Sequence, residues 1–191
     1  MNILLLGPQG SGKGTQAKRI ASEHGFAHVA TGDMFRAAIA RRTPLGLQVE
    51  PILASGQLVP DELTVGLIRE RLAEEDAQEG SILDGFPRNA VQAEALDDLL
   101  LELGRPLDVI FEFQIPDDVC IERLLKRAEE EGRVDDTPEV IAERLRIYHS
   151  ETEPLIEHYL ATGKVVGIHA DRPVDDVWME VQEALEQVAV R

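Results

Sequence analysis

Five short apolar runs separated by longer helical stretches constrain this chain more than any other feature. NILLL (2–6), AHVA (27–30), SILD (81–84), DVIFEFQI (108–115) and KVVGIH (164–169) read as strands. Helical patterns cover 13–24, 61–77, 89–103, 116–130 and 137–160, with Leu63, Leu67, Ile68 and Leu72 in helical register within the second. A last helix aligns Val174, Val177, Trp178, Val181, Leu185 and Val188 on one stripe, which predicts a core-facing surface. Strands alternating with helices predict parallel βαβ units joined right-handedly, with helices on both faces of the sheet. Ligands in such folds sit at the carboxyl ends of the strands. Residues Gly7–Thr15, Thr31–Arg36 and Asp84–Arg88 all follow predicted strands there. Residues 31–59 are helical but interrupted by Pro44, Gly46, Pro51 and Gly56, and residues 126–136 are polar without core spacing. Both are expected to be mobile flaps on one core.

The first strand runs into GPQGSGKGT. Gly7, Gly12 and Lys13 satisfy the phosphate-loop pattern of Gly, any four, Gly, Lys and then a hydroxyl residue. Gly14 stands where the hydroxyl is expected, and Thr15 brings it one residue late. Glycines permit backbone conformations that a Cβ forbids. The loop N–H groups and the helix N-terminus then cradle phosphate oxygens, and Lys13 reaches the β and γ phosphates. The bland alternative is a glycine-rich turn without a ligand. With glycine at 14, a Mg²⁺ ion would rest on water, on the phosphates and on a carboxylate from elsewhere. Asp84, which closes SILD as a Walker-B-type acid does, is the candidate; a strand-end Asp capping a turn is the alternative.

Charge narrows the ligand class. Lys and Arg number 19 against 36 Asp and Glu, a formal net charge of −17, which argues against a general nucleic-acid binder. Yet Arg123, Arg127, Arg133, Arg144 and Arg146 cluster, which suggests either a small polyanion as ligand or surface pairs with Glu122, Glu129, Glu130 and Glu143. Cys120 is the single cysteine, so no internal disulfide can form and a four-cysteine zinc site is excluded. No apolar run approaches the roughly 18 residues of a membrane span. Residues 3–6 do not make a signal peptide, so a cytoplasmic protein with no membrane partner is expected. None of His24, His28, His149, His158 and His169 sits in a motif, and all five read as surface or packing residues.

GPQGSGKGTQ, TGDMFR (31–36), DGFPRN (84–89) and GRVDD (132–136) occur in order and together resemble the adenylate kinase family of nucleoside monophosphate kinases. In that family Gly-Lys-Gly-Thr is the usual loop, so Gly14 fits. The resemblance implies a P-loop three-layer α/β fold with a five-stranded parallel sheet. It implies a core over 1–29, 60–125 and 137–191, an AMP-binding segment at 30–59 and a short lid at 126–136. The lid lacks the insertion that carries zinc cysteines in longer forms, so Mg²⁺ and no zinc is implied. ATP phosphates would meet Gly10, Ser11, Gly12, Lys13, Gly14 and Thr15, with Arg127 reaching in from the lid and Arg172 beside adenine. AMP would meet Thr31, Arg36, the backbone of Gln57, Leu58 and Val59, and the stretch Gly85, Phe86, Pro87 and Arg88. Arg133 and Arg144 would serve the AMP side and the transferring group, and Arg123 would face the phosphates. Asp135 and Asp136 would help close the lid. Asp84 would support Mg²⁺ through water.

Base choice rests on Thr31 and Gln92. Gln92 offers a donor and an acceptor to adenine, although an isolated helical Gln could equally be exposed and idle. The reaction implied is MgATP plus AMP giving two ADP, with ATP, AMP and ADP as the only partners and a monomer as the family default. ATP brings about four negative charges and AMP about two, while Mg²⁺ returns two, leaving roughly four to neutralise. Lys13, Arg36, Arg88, Arg123, Arg127, Arg133 and Arg144 can do so. The AMP phosphate is already an anionic nucleophile, so no general base is required. A UMP/CMP or broad-specificity kinase and a non-catalytic nucleotide switch are the alternatives.

Overall fold

Parallel strands buried on both faces need apolar side chains at successive positions, and NILLL supplies them. The computed structural model describes residues 1–133 and 136–189. Its first strand, β1 (Asn2–Leu6), is buried throughout and forms the middle of a five-stranded sheet. The others are β2 (Ala27–Ala30), β3 (Ser81–Asp84), β4 (Val109–Gln114) and β5 (Val165–His169). The order is β2-β3-β1-β4-β5, and every pairing is parallel. Helices α1 (Lys13–His24), α2 (Thr31–Ala40), α3 (Pro44–Ala54), α4 (Asp61–Leu72) and α5 (Ala90–Glu102) fall in the first half. They are followed by α6 (Asp117–Glu131), α7 (Pro138–Ile147), α8 (Leu155–Leu160) and α9 (Val174–Ala189).

Side-chain alternation along each strand divides the core. Leu4, Leu6, Leu83 and Ile110 face one side, where Ile68 and Leu72 of α4, Leu96 and Leu99 of α5, and Tyr159 of α8 pack on them. Ile3, Leu5, Ile82 and Phe111 face the other, against Ile20 of α1 and Val177, Val181 and Leu185 of α9. This is the three-layer arrangement expected from the sequence. Trp178 is buried as anticipated, with the Arg19 guanidinium 5.9 Å above its ring. Val174 departs from the predicted stripe: at the first residue of α9 it is 48% exposed and borders the cleft described below rather than the core.

Segment 31–59 folds as two helices with a small core of their own, in which Phe35, Val49 and Val59 pack with Leu63 and Leu67 of α4. Helix α4 therefore splits its apolar residues between this cluster and the main core. Thr43 caps α3, its hydroxyl accepting from Gly46 N at 3.0 Å, and Pro44 follows at the first helical position. Gly46 lets α3 press on α2: a Cβ there would lie 2.1 Å from the Ala38 carbonyl oxygen.

Two predicted helices are shorter than expected. The 61–77 helix stops at Leu72, and Glu75–Ala77 forms a separate 3₁₀ turn held by the two-pronged Arg71–Asp76 pair at 2.8 and 2.7 Å. The 137–160 helix breaks into α7, a π turn at Tyr148–Thr152 and α8. Pro154 lacks an N–H and its ring disfavours helix continuation. The Glu153 amide instead reaches back five residues to Tyr148 O at 2.8 Å. The polar stretch from 126 continues α6 as helix to Glu131, and α7 begins at Pro138.

Two glycines should respond oppositely to one methyl group. Gly46→Ala should destabilise the protein by about 1–3 kcal/mol through overpacking. Gly66→Ala, in the middle of α4 with nothing within 4 Å of the new Cβ, should stabilise it by roughly 0.5–1 kcal/mol. Denaturant unfolding of the two variants checks both signs.

Candidate active site

The loop after β1 is shaped by what it must pass. Gly7 (φ 141°) and Gly10 (φ 85°) take the left-handed region, and so does Gly12 (φ 90°), which opens α1. At Gly10 a Cβ would lie 2.7 Å from the Cys120 carbonyl oxygen, so glycine also lets α6 approach. Lys13 folds back over the loop and donates to Gly7 O (2.6 Å), Pro8 O (2.7 Å) and Ser11 Oγ (3.2 Å). Burial lowers its pKa to about 8; Asp84 opposes that fall, and Arg88 and Arg127 reinforce it. Helix α1 carries no acidic residue in its first turn, which leaves its positive end uncompensated by side chains.

Asp84 ends β3 beside this loop. Its Oδ2 would lie 3.4 Å from a Cβ at position 14, so Gly14 leaves that space clear. The His28 ring Nε2 is 3.3 Å from the same oxygen. Burial pushes the Asp84 carboxyl up, but the His28 hydrogen bond and the nearby Lys13 charge outweigh it and hold the pKa below the usual carboxylate range. His28 does not line the cleft; it is a half-buried packing residue, as expected, but one that packs on a cleft-lining carboxylate. The strand pairing that aligns Ala30 with Asp84 was the signal, and it is invisible until the order of strands is known.

Arginines close the basin. Arg88 donates through Nε to Gly85 O at 2.7 Å. Burial lowers its pKa to about 10; Asp84 opposes the fall, and the charges of Arg144 and Arg36 add to it. It remains a cation at neutral pH, surrounded by other cations. Arg123 donates to Ala170 O at 3.0 Å. Arg127 grips Oδ2 of Asp136 through two nitrogens at 2.9 and 2.7 Å, and Arg144 takes Oδ1 at 2.8 Å. The Asp136 side chain is completely buried between them. Arg144 also reaches Leu53 O at the end of α3 at 3.4 Å, and Gln57 donates to Glu143 of α7 at 2.6 Å. Segment 31–59 and α7 are therefore in contact.

One cleft of about 560 Å³ unites these groups. Its walls include Gly10, Gly12, Lys13, Gly14 and Thr15 from the loop, and Asp84, Gly85 and Pro87 from the end of β3. Arg36, Arg88, Arg123, Arg127, Arg133, Arg144, Arg172 and Gln57 also line it. Other predicted site residues stand behind the wall. Ser11, Val59, Phe86 and Gln92 are buried, and Leu58 is half-buried. Thr31 is buried with its hydroxyl donating to Gly85 O at 2.8 Å. Asp135 lies outside the described residues. Arg172 pairs with Glu180 and donates to His169 O, beside a second hollow lined by Gln114, Ile115, Pro116 and His169. The surface-pair reading fits Arg146, which is exposed on Glu143, and Arg133 also pairs with Glu131. It does not describe Arg127 and Arg144.

A phosphate loop at the end of the central strand, faced across one cleft by arginines from α2, the β3–α5 turn, α6 and α7, defines a P-loop phosphotransferase. The sequence profile of the family described as Adenylate kinase matches residues 5–164. The adenylate kinase of a Cyanothece species is 47% identical over 186 residues, covering 97% of this chain and 95% of the relative. That of Maricaulis maris is 47% identical over 187 residues (98% and 100%), and that of Caulobacter vibrioides 46% over 189 residues (99% and 99%). The chain belongs to the adenylate kinase family, phosphotransferases that move a phosphoryl group reversibly between adenine nucleotides.

The lowered pKa of Lys13 makes a pH prediction. Above about 8 the free protein presents a neutral amine to the loop, so nucleoside triphosphate binding should weaken as pH rises through that value. Calorimetric titration at successive pH values checks it. Lys13→Met should bind weakly throughout and lose this alkaline fall.

Proposed function

We propose that this chain catalyses MgATP plus AMP giving two ADP, by positioning and electrostatic stabilisation without a general base. The observation that carries the reading is the convergence of Arg36, Arg88, Arg123, Arg127 and Arg144 with the Lys13 loop on one cleft. The half-buried Arg88, its pKa lowered to about 10 by desolvation and by the charges of Arg144 and Arg36, is favoured by an anion placed between them. The loop from Gly10 to Thr15 with Lys13 would hold the ATP phosphates, and Arg127 and Arg123 would approach from α6. Arg36, Arg88, Arg133 and Arg144 would hold the AMP phosphate and the transferring group in line. Arginine suits this role because its planar fork grips two oxygens and keeps its charge. The hollow beside Arg172 would take the ATP adenine, and Thr31, Gln92, the backbone from Gln57 to Val59 and the stretch Gly85–Arg88 would frame AMP.

The residues suit Mg²⁺ that arrives on the nucleotide. Among the described residues no group of three or more His, Cys, Asp and Glu could hold a metal, so phosphate and water would supply most ligands. The ionised Asp84 carboxylate, next to the clear space at Gly14, would hold one of those waters. Bound there, the ion would neutralise charge on the phosphates.

Segments 30–59 and 126–136 would close over the two nucleotides and exclude water as a competing acceptor. The small cluster that segment 31–59 forms with Leu63 and Leu67 of α4, distinct from the two clusters on the sheet, supports its movement against the core, and Asp136, between Arg127 and Arg144, would help set the closed lid. The reading includes a monomeric protein of the cytoplasm. A chain with one cysteine gains nothing from an oxidising compartment.

An acceptor panel tests the function: ADP formation from MgATP with AMP, CMP, UMP or GMP in turn. AMP should be strongly preferred, and preference for any other acceptor overturns the specificity. Arg88→Ala should lower kcat by roughly a hundredfold to a thousandfold while leaving circular dichroism and Tm near those of the parent. Near-normal turnover would remove Arg88 from the mechanism.

A further inference from the structure

Gln92 is 2% exposed, and both ends of its carboxamide are held by the protein. Its Oε1 accepts from the Arg88 backbone N–H at 2.8 Å, and its Nε2 donates to Asp61 Oδ1 at 2.8 Å. Asp61, the first residue of α4, takes a second bond on the same oxygen from Asn89 Nδ2 at 2.9 Å. Asn89 in turn caps α5 by accepting from Gln92 N at 2.9 Å. The amide is therefore fixed from two sides by groups that cannot exchange roles. A backbone N–H only donates and an ionised carboxylate only accepts. Turning the amide over would set donor against donor at Arg88, leaving its part-buried N–H without a partner, and acceptor against acceptor at Asp61, whose Oδ1 would keep only its bond from Asn89.

We propose that Asp61 is a positioning residue that sets base selectivity by fixing the orientation of the Gln92 carboxamide. The proposal rests on the reading that Gln92 faces the acceptor base. A carboxamide carries two N–H donors and two acceptor lone pairs. Asp61 and Arg88 each take one, leaving one donor and one acceptor in a fixed order. Adenine presents an acceptor (N1) beside a donor (the 6-amino group), which matches one donor and one acceptor of that order. A 6-oxo purine presents the reverse, N1–H beside O6, and would need the overturned amide. Selectivity against 6-oxo purines thus depends on a carboxylate one residue behind the one that meets the base. A site whose hydrogen-bonding order is fixed rejects a mismatched partner far more strongly than one that can adapt.

IMP is the probe, because it differs from AMP at the 6-position and in the N1 proton and lacks the 2-amino group of GMP. The measurement is kcat/KM for AMP and for IMP, with MgATP as donor. The parent should prefer AMP, Asp61→Leu should narrow the AMP:IMP ratio by roughly tenfold or more, and Asp61→Asn should retain it, since its Oδ1 still accepts. Both variants lose the charge at the start of α4, so a merely structural role would affect them alike in Tm and in activity with both acceptors. Asp61→Ala carries the same expectation as the leucine variant should the latter fail to fold. An unchanged AMP:IMP ratio in Asp61→Leu or Asp61→Ala overturns the proposal. A ratio lost equally in Asp61→Asn does so too. If the parent itself uses IMP as readily as AMP, the placement of Gln92 at the base fails first, and Gln92→Ala, which should then leave the ratio unchanged, identifies that case.

Discussion

Holding several cations together in a partly dry cleft is the constraint on which the rest of this structure depends. Lys13 and Arg88 both have lowered pKa values, and in each case desolvation is the largest cause. Left alone, such groups would swing out into water. The fold prevents it by building them into rigid elements: Lys13 at the start of α1, Arg88 between the end of β3 and the cap of α5. The buried parallel sheet supplies the rigidity, and the crevice beyond the carboxyl end of its central strand β1 supplies the place. The sheet thus maintains an electrostatic arrangement that is unfavourable until a polyanion enters.

Much of this was legible in the amino-acid order. The five strands were readable because each is a short apolar run, and their parallel arrangement followed from the helices between them. The loop was readable because Gly7, Gly12 and Lys13 fall within seven residues and their demands are local. Helix ends were harder. Pro154 and the π turn before it broke a helix that periodicity alone ran through, since apolar spacing says nothing about where the backbone changes register. Val174 kept the stripe's spacing but borders the cleft, which spacing along one helix cannot reveal.

The site divides along the same line. Three of the motifs each follow a predicted strand, so their convergence at the carboxyl ends of the sheet was anticipated. Contacts between distant segments were not. His28 meets Asp84 across the β2–β3 pairing, and Gln57 meets Glu143 across 86 residues. The resemblance placed Gln92 near a base, but nothing in the order of residues connected it with Asp61, 31 positions earlier. The buried carboxylate of Asp136 likewise needed two arginines folded onto it before its place was visible.

The chain has 36 acidic residues, yet Lys13, Arg88 and Arg123 rest on the backbone carbonyls of Gly7, Pro8, Gly85 and Ala170. A carbonyl offers only a partial charge, so it orients a cation without neutralising it and releases it readily to a stronger anion. It also belongs to the main chain, and no single side-chain replacement can delete it. These cations are holstered rather than bound. Random substitution can remove a weapon from its holster, but the holsters themselves are inherited with the fold.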